Sequence, residues 1–127
     1  MQRETSIPVL VARIATWICA FPIEHVVETM RPGAIEDGTA MHRGDRVPVV
    51  DAAALIGERG EPRRCVVVRA GSGRASVLVD EVIGVQRVDG ERASAMKAMF
   101  GAEAMQRVSG ELRAVLASVR VMEAERG

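Results

Sequence analysis

The sequence predicts an all-β chain with short helices, arranged as two small barrels packed side by side. Three observations predict it. β-branched runs of strand length alternate with Gly, Pro and Asp turn signals. The two halves, residues 7–62 and 63–122, echo each other in the order of their elements. Residues 42–57 read as one complete unit of turn, strand and capped helix. In that unit Arg43-Gly44-Asp45 supplies the turn and residues 47–50 the strand. Asp51 sits where an N-cap belongs and Gly57 where a helix ends.

Residues 7–14 are a strand, Ala15-Thr16 is short enough for a hairpin turn, and residues 17–21 return. Pro22 breaks the ladder and suits a helix start, so residues 23–27 read as a brief helical turn. Residues 28–30 extend again before the turn signal Arg31-Pro32-Gly33. Residues 34–41 are polar and small and read as loop. After the 42–57 unit comes a charged linker, 58–62. Residues 64–70 are the most strand-like run, and the continuous Val66-Val67-Val68 predicts burial on both faces. Gly71-Ser72-Gly73 is a hairpin turn, with residues 75–79 as the return strand. Residues 80–83 resemble a short capped turn and 84–88 a strand. Residues 91–100 have helical spacing, with Met96, Met99 and Phe100 on one side. Residues 105–109 and 111–119 flank a Ser-Gly turn and read as a hairpin. The polar leader 1–6 reads as loose. Residues 119–127 read as a frayed strand end or a short helix.

The echo between the halves has an offset of 56 residues, which sets residues 8–13 against 64–69 and residues 22–27 against 78–83. Later the offset grows to 66, setting residues 44–50 against 110–116. The shared order favours a duplicated architecture over coincidence between Val-rich strands. Two closed barrels remove exposed strand edges and leave a groove between them, a natural partner site.

Composition narrows the function. Seventeen basic residues balance seventeen acidic ones in 127 residues, so nothing draws the whole chain to nucleic acid or to anionic membrane. The aromatics are Trp17, Phe21 and Phe100 alone, which argues against base stacking. The core must be aliphatic. Cys19 and Cys65 lie in apolar strand-like runs and read as buried free thiols. No stretch approaches the ~18 apolar residues of a membrane span, and no signal peptide is visible, since Arg13 interrupts the first apolar run. A cytoplasmic protein is expected.

No motif carries catalysis. Gly71-Ser72-Gly73 lacks the following helix that a phosphate loop needs. His25, His42 and the two cysteines show no metal-ligand spacing, so neither metal nor cofactor is expected. A nucleophilic elbow is absent. Arg43-Gly44-Asp45 matches an integrin-recognition tripeptide, but three residues recur by chance. Capping accounts for Asp51. Met96, Met99 and Met105 read first as core and second as an adaptable contact. The rival reading is a small enzyme or a ligand-sensing barrel using the inter-barrel groove, and convergence of Asp51, His42 and Cys19 or Cys65 in one cleft would favour it.

Three further stretches carry a family likeness. They are Phe21-Pro22-Ile23-Glu24-His25-Val26-Val27-Glu28, then Arg43-Gly44 with Val47-Pro48-Val49-Val50-Asp51 and Leu55-Ile56-Gly57, then residues 77–85. In order and spacing the chain resembles a CheW-like domain, the coupling adaptor of bacterial chemosensory arrays, over residues 8–122. The resemblance implies two five-stranded SH3-like barrels. It implies a non-enzymatic adaptor that binds the tip of a methyl-accepting chemoreceptor in the groove between barrels. One barrel would hold the CheA-type histidine kinase or another CheW-like protein. Arg43 falls on the Arg of the family's Asn-Leu-Arg-Gly motif, a receptor contact, with Gly44 beside it. Val26 and Glu28 fall in the partner-facing strand of the first barrel. The chain departs from the pattern before Arg43, where the lead-in is short and Met41-His42 replace Asn-Leu. Ser118 stands where an acidic residue often ends the last strand. The first barrel is therefore expected to be shortened, as in Frz-type members, which leaves kinase binding open.

Overall fold

A computed structural model describes residues 6–108 and 110–122. Strand β1 (Ser6–Ile14) turns at Ala15-Thr16 into β2 (Trp17–Pro22), pairing Leu10 with Phe21 and Ile14 with Trp17. Pro22, which has no N–H to donate to a ladder, opens a single 3-10 turn, Ile23–His25. Strand β3 (Val26–Met30) follows, then the hairpin β4 (Thr39–His42) and β5 (Asp45–Asp51). Helix α1 (Ala52–Leu55) starts as the sequence dictates: the Asp51 carboxylate accepts from the Ala54 N–H at 3.3 Å. It stops at Ile56 and Gly57, the latter at φ +74°. Strands β6 (Arg64–Ala70) and β7 (Gly73–Val79) form the second hairpin, and β8 (Glu81–Asp89) follows. Three short helices, α2 (Gly90–Ala95), α3 (Ala102–Met105) and α4 (Gly110–Ala117), lead to β9 (Arg120–Val121).

The strands form two sheets. One has the order β8-β1-β2-β9 and the other β3-β6-β7-β5-β4. With its short helices, this is the mostly-β architecture of two small SH3-like barrels expected from the sequence, here with four and five strands.

The core lies between the barrels. On the first hairpin Leu10, Ala12, Ile14, Cys19 and Phe21 face it. From the second sheet come Val66, Val68, Ala75, Val77 and Val79. Helix α4 adds Leu112, Val115 and Leu116. The alternate residues point into the barrels: Val9, Val11, Ala20 and Val88 in the four-stranded one, Cys65, Val67, Ser76 and Leu78 in the five-stranded one. Both faces of β6 are thus buried, which is why its sequence is a continuous apolar run.

Several expectations are corrected. Residues 34–41 are not all loop, because Thr39 begins β4, which pairs with β5 from Thr39↔Pro48 to His42↔Asp45. Residues 81–83 belong to β8 rather than to a capped turn. The Asp80 side chain does bond to backbone, but it accepts from Ala15 and Glu61, not from its own segment. The expected helix at 91–100 ends at Ala95. Residues 97–99 run extended beside the last strand, with Met99 N–H donating to the Val119 carbonyl and Val121 N–H to that of Lys97. The largest error is the hairpin expected at 105–119, where Gly110–Ala117 forms helix α4 instead of a strand. Leu112, Val115 and Leu116 recur at helical spacing among good helix formers, and that pattern outweighs the likeness of residues 110–116 to β5. Ser118 accordingly ends a helix and donates to the Val115 carbonyl at 2.6 Å. The two halves share the hairpins β1-β2 and β6-β7 and the strand after each, β3 and β8, which pairs with the first strand of the other half's hairpin; beyond these they differ. Nor do the sheets coincide with residues 7–62 and 63–122, since β8 and β9 complete the sheet of β1 and β2, while β3, β4 and β5 join β6 and β7.

Candidate protein-binding site

The five-stranded sheet ends in β3 on one side and β4 on the other, and no backbone ladder joins the two. Side chains close this seam. In the β3–β6 pairing the register shifts at Val27, so Val26 lies opposite Val68 but Glu28 opposite Val67. Residues opposite one another share a face of the sheet. The bulge therefore leaves Val26 on the side of the shared core, where it packs half-buried, and turns Glu28 toward the barrel interior. His42 faces the same interior from β4 and is almost wholly buried. Its Nε2 meets Glu28 Oε2 at 2.6 Å.

Arg43 comes next and joins the same carboxylate, with Nη2 at 3.3 Å from Glu28 Oε2. Arg43 and Gly44 are the two central residues of the β4–β5 hairpin, at φ +52° and +85°. Asp45 already belongs to β5. A turn with both central residues left-handed matches the strand twist. Glycine adopts that conformation freely, whereas a residue with a Cβ gives up roughly 1–2 kcal/mol. Arg43 therefore occupies a strained position, and its side chain is 63 % exposed.

The electrostatics follow from these contacts. The hydrogen bond from His42 holds Glu28 below the usual carboxylate range, and the Arg43 charge adds to the effect. Arg74 on β7 contacts His42 Nδ1, the His42 carbonyl and the Asp45 carboxylate. The result is a ring of five charged or polar side chains, four from strands β3, β4, β5 and β7 and Arg43 from the hairpin turn itself.

Of the four residues expected to bind protein, Glu28, Arg43 and Gly44 are brought together here. Val26 lies beyond the bulge on the other face of β3. The sequence reading missed His42, Asp45 and Arg74. The signal for His42 was the alternation of Ala40 and His42, both inward-facing, which becomes visible only once residues 39–42 are known to be a strand.

A second concavity of about 530 Å³ opens where the two sheets meet, between Trp17, Leu55, Ile56, Met99 and Arg107. None of the four expected residues lines it. Helix α1 in its wall and the Arg43-Gly44 turn stand at opposite ends of the seven-residue β5, roughly 20 Å apart. The inter-barrel groove and the Arg43 turn are thus separate surfaces.

Asp51, His42 and the two cysteines do not converge in one cleft. Asp51 and His42 are also at opposite ends of the β4–β5 hairpin. Cys19 is buried, donates to the Ala12 carbonyl, and its thiol is pushed up to about 12 by desolvation. Cys65 is buried as well, on the inner face of β6. Among the described residues no group of three or more His, Cys, Asp or Glu side chains could hold a metal ion. No helix among them is long and apolar enough to cross a membrane.

Comparison with known proteins agrees with this architecture. The scaffolding protein TtCheW from Thermoanaerobacter tengcongensis superposes with a TM-score of 0.63 at 22 % identity, over 73 % of this chain and 70 % of that one. No curated protein matches the chain. The CheW-like domain model matches residues 8–116. That span takes in most of β1, all of β2 to β8, the Arg43 turn and most of α4, and the chain belongs to the CheW-like domain family.

Proposed function

We propose that this protein is a non-enzymatic coupling adaptor of a bacterial chemosensory pathway, working in the cytoplasm, and that it binds the tip of a methyl-accepting chemoreceptor through the Arg43 turn. The supporting observation is the conformation of Arg43. A long cation is held in a left-handed position that glycine would fill without strain, and its side chain is largely exposed. That arrangement is costly for folding and useful for presenting a cation. Arg43 supplies a charge-assisted hydrogen bond to a receptor carboxylate or carbonyl. Gly44 lets the partner backbone come close, Glu28 orients the guanidinium, and Val26 anchors β3 from the core side.

Coupling needs a second surface. Receptor binding at the turn departs from the groove that the resemblance implied, and it leaves the groove at Trp17 for a second protein, either the CheA-type histidine kinase or another CheW-like protein. Array assembly multiplies such contacts, so each can be weak. The test is a pair of titrations, one with a receptor signalling fragment and one with the isolated kinase regulatory domain. Binding to both gives the ordinary coupling role. Binding to receptor alone gives a reduced adaptor whose second partner is another CheW-like chain. Binding to neither overturns the proposal.

A further inference from the structure

One guanidinium grips both flanks of the Arg43-Gly44 turn. Arg74 Nη1 donates to His42 Nδ1 and, at 3.3 Å, to the His42 carbonyl, on the residue before the turn. Its Nη2 donates to the Asp45 carboxylate, on the residue after it. Arg74 sits at the start of β7, and its side chain is only 22 % exposed. It is a fixed part of the barrel wall rather than a loose surface cation.

The chemistry of the ring assigns the protons. A guanidinium has donors only, so the Nδ1 that faces Arg74 must present its lone pair. The imidazole proton is then on Nε2, where it donates to Glu28 Oε2. Glu28 thus shares its carboxylate between the His42 N–H and the Arg43 guanidinium. Without Arg74 the Glu28 carboxylate alone holds the proton on Nε2, a weaker hold that lets the ring turn and the proton shift to Nδ1, where the Nε2 lone pair would oppose the carboxylate. Glu28 would turn wholly to Arg43 and draw the exposed guanidinium back onto the barrel. The turn would also lose the clamp that offsets the left-handed strain at Arg43.

We propose that Arg74 is a positioning residue for the partner contact, acting through His42 and Asp45 to hold the Arg43 turn in shape and to fix His42 in the tautomer that keeps Glu28 paired. This rests on the reading of Arg43 as the receptor contact. Arg74 itself needs no touch with the partner.

The test is a double-mutant cycle read by affinity for a receptor signalling fragment, together with a nitrogen-15 spectrum of the imidazole. In the wild type His42 should show the Nε2–H tautomer, and in Arg74→Gln a mixture. Arg74→Gln should weaken binding roughly tenfold, about what loss of one charge-assisted hydrogen bond gives. In an Arg43→Ala background the same change should have little further effect. A merely structural role would lower affinity equally in both backgrounds, and that result overturns the proposal, as does an Nδ1–H tautomer in the wild type. Arg74→Lys guards against unfolding. It keeps the charge, but one ammonium cannot span His42 and Asp45 together, so binding should still fall. If Arg43→Ala binds as well as wild type, the receptor reading itself fails. If Arg43→Ala is weakened and both Arg74 variants bind normally, only the positioning role fails.

Discussion

Glu28 Oε2 lies 2.6 Å from His42 Nε2 across the one seam of the five-stranded barrel that no backbone ladder closes. The bulge at Val27 places the carboxylate there, and the contact ties the first strand of that sheet to the last. The hydrogen bond from His42 and then the charge of Arg43 hold Glu28 below its ordinary value of 4.5. The unfolded chain lacks both contacts. It takes up the proton more readily, so the stabilisation is present above pH 4.5 and is lost as pH falls through the lower folded value. Glu28→Gln should therefore be less stable than wild type at neutral pH and should show a flatter decline in acid. Denaturant midpoints measured from neutral pH down past that value give both slopes.

Asp80 holds the first hairpin turn against the linker that precedes β6. Its carboxylate accepts from the Ala15 N–H at 2.8 Å and from the Glu61 N–H at 2.7 Å, and its side chain is 8 % exposed. Removing it leaves a buried N–H at Ala15 without a partner. Asp80→Ala should cost about 2 kcal/mol, seen as a lower thermal midpoint, with Asp80→Asn falling between it and the wild type.

Gly71, in the β6–β7 turn, adopts φ +64°, and an added Cβ would fall on the Glu111 carboxylate of α4. Gly71→Ala should lose roughly 1–2 kcal/mol through the left-handed backbone alone. Pairing it with Glu111→Ala relieves the clash but not the strain, so the double variant should remain below Glu111→Ala in denaturant stability.

Burial pushes the Cys19 thiol up to about 12, so the reactive thiolate is scarce at neutral pH. Cys19 should resist alkylation by iodoacetamide in the native protein and react once the chain is unfolded in denaturant. Mass spectrometry of the labelled peptide separates the two states.

The elements legible in the sequence were those whose cause is local. Asp51 and Gly57 bracket α1 because a cap and a left-handed stop are properties of single residues. Arg64–Ala70 declared its double burial through an unbroken apolar run. Residues 110–117 misled because Val115 and Leu116 suit a strand as well as a helix, and tertiary packing of Leu112, Val115 and Leu116 against the shared core decided between them. Arg43 was visible as a turn residue and as a family position. Its ring was not, because Glu28, His42 and Arg74 come from three strands, and the register that joins Glu28 to the others depends on a one-residue bulge at Val27. No alternation pattern announces a bulge of that kind.

The central claim is that Arg43 presents the partner-binding cation, and the most direct measurement is a calorimetric titration of Arg43→Glu with a receptor signalling fragment. Arg43 is 63 % exposed and lies in the turn rather than the core, so the variant should keep its far-ultraviolet circular dichroism and a cooperative melt. Reversal of the charge should abolish measurable binding. An affinity equal to that of the wild type, in a variant that is still folded, would contradict the account.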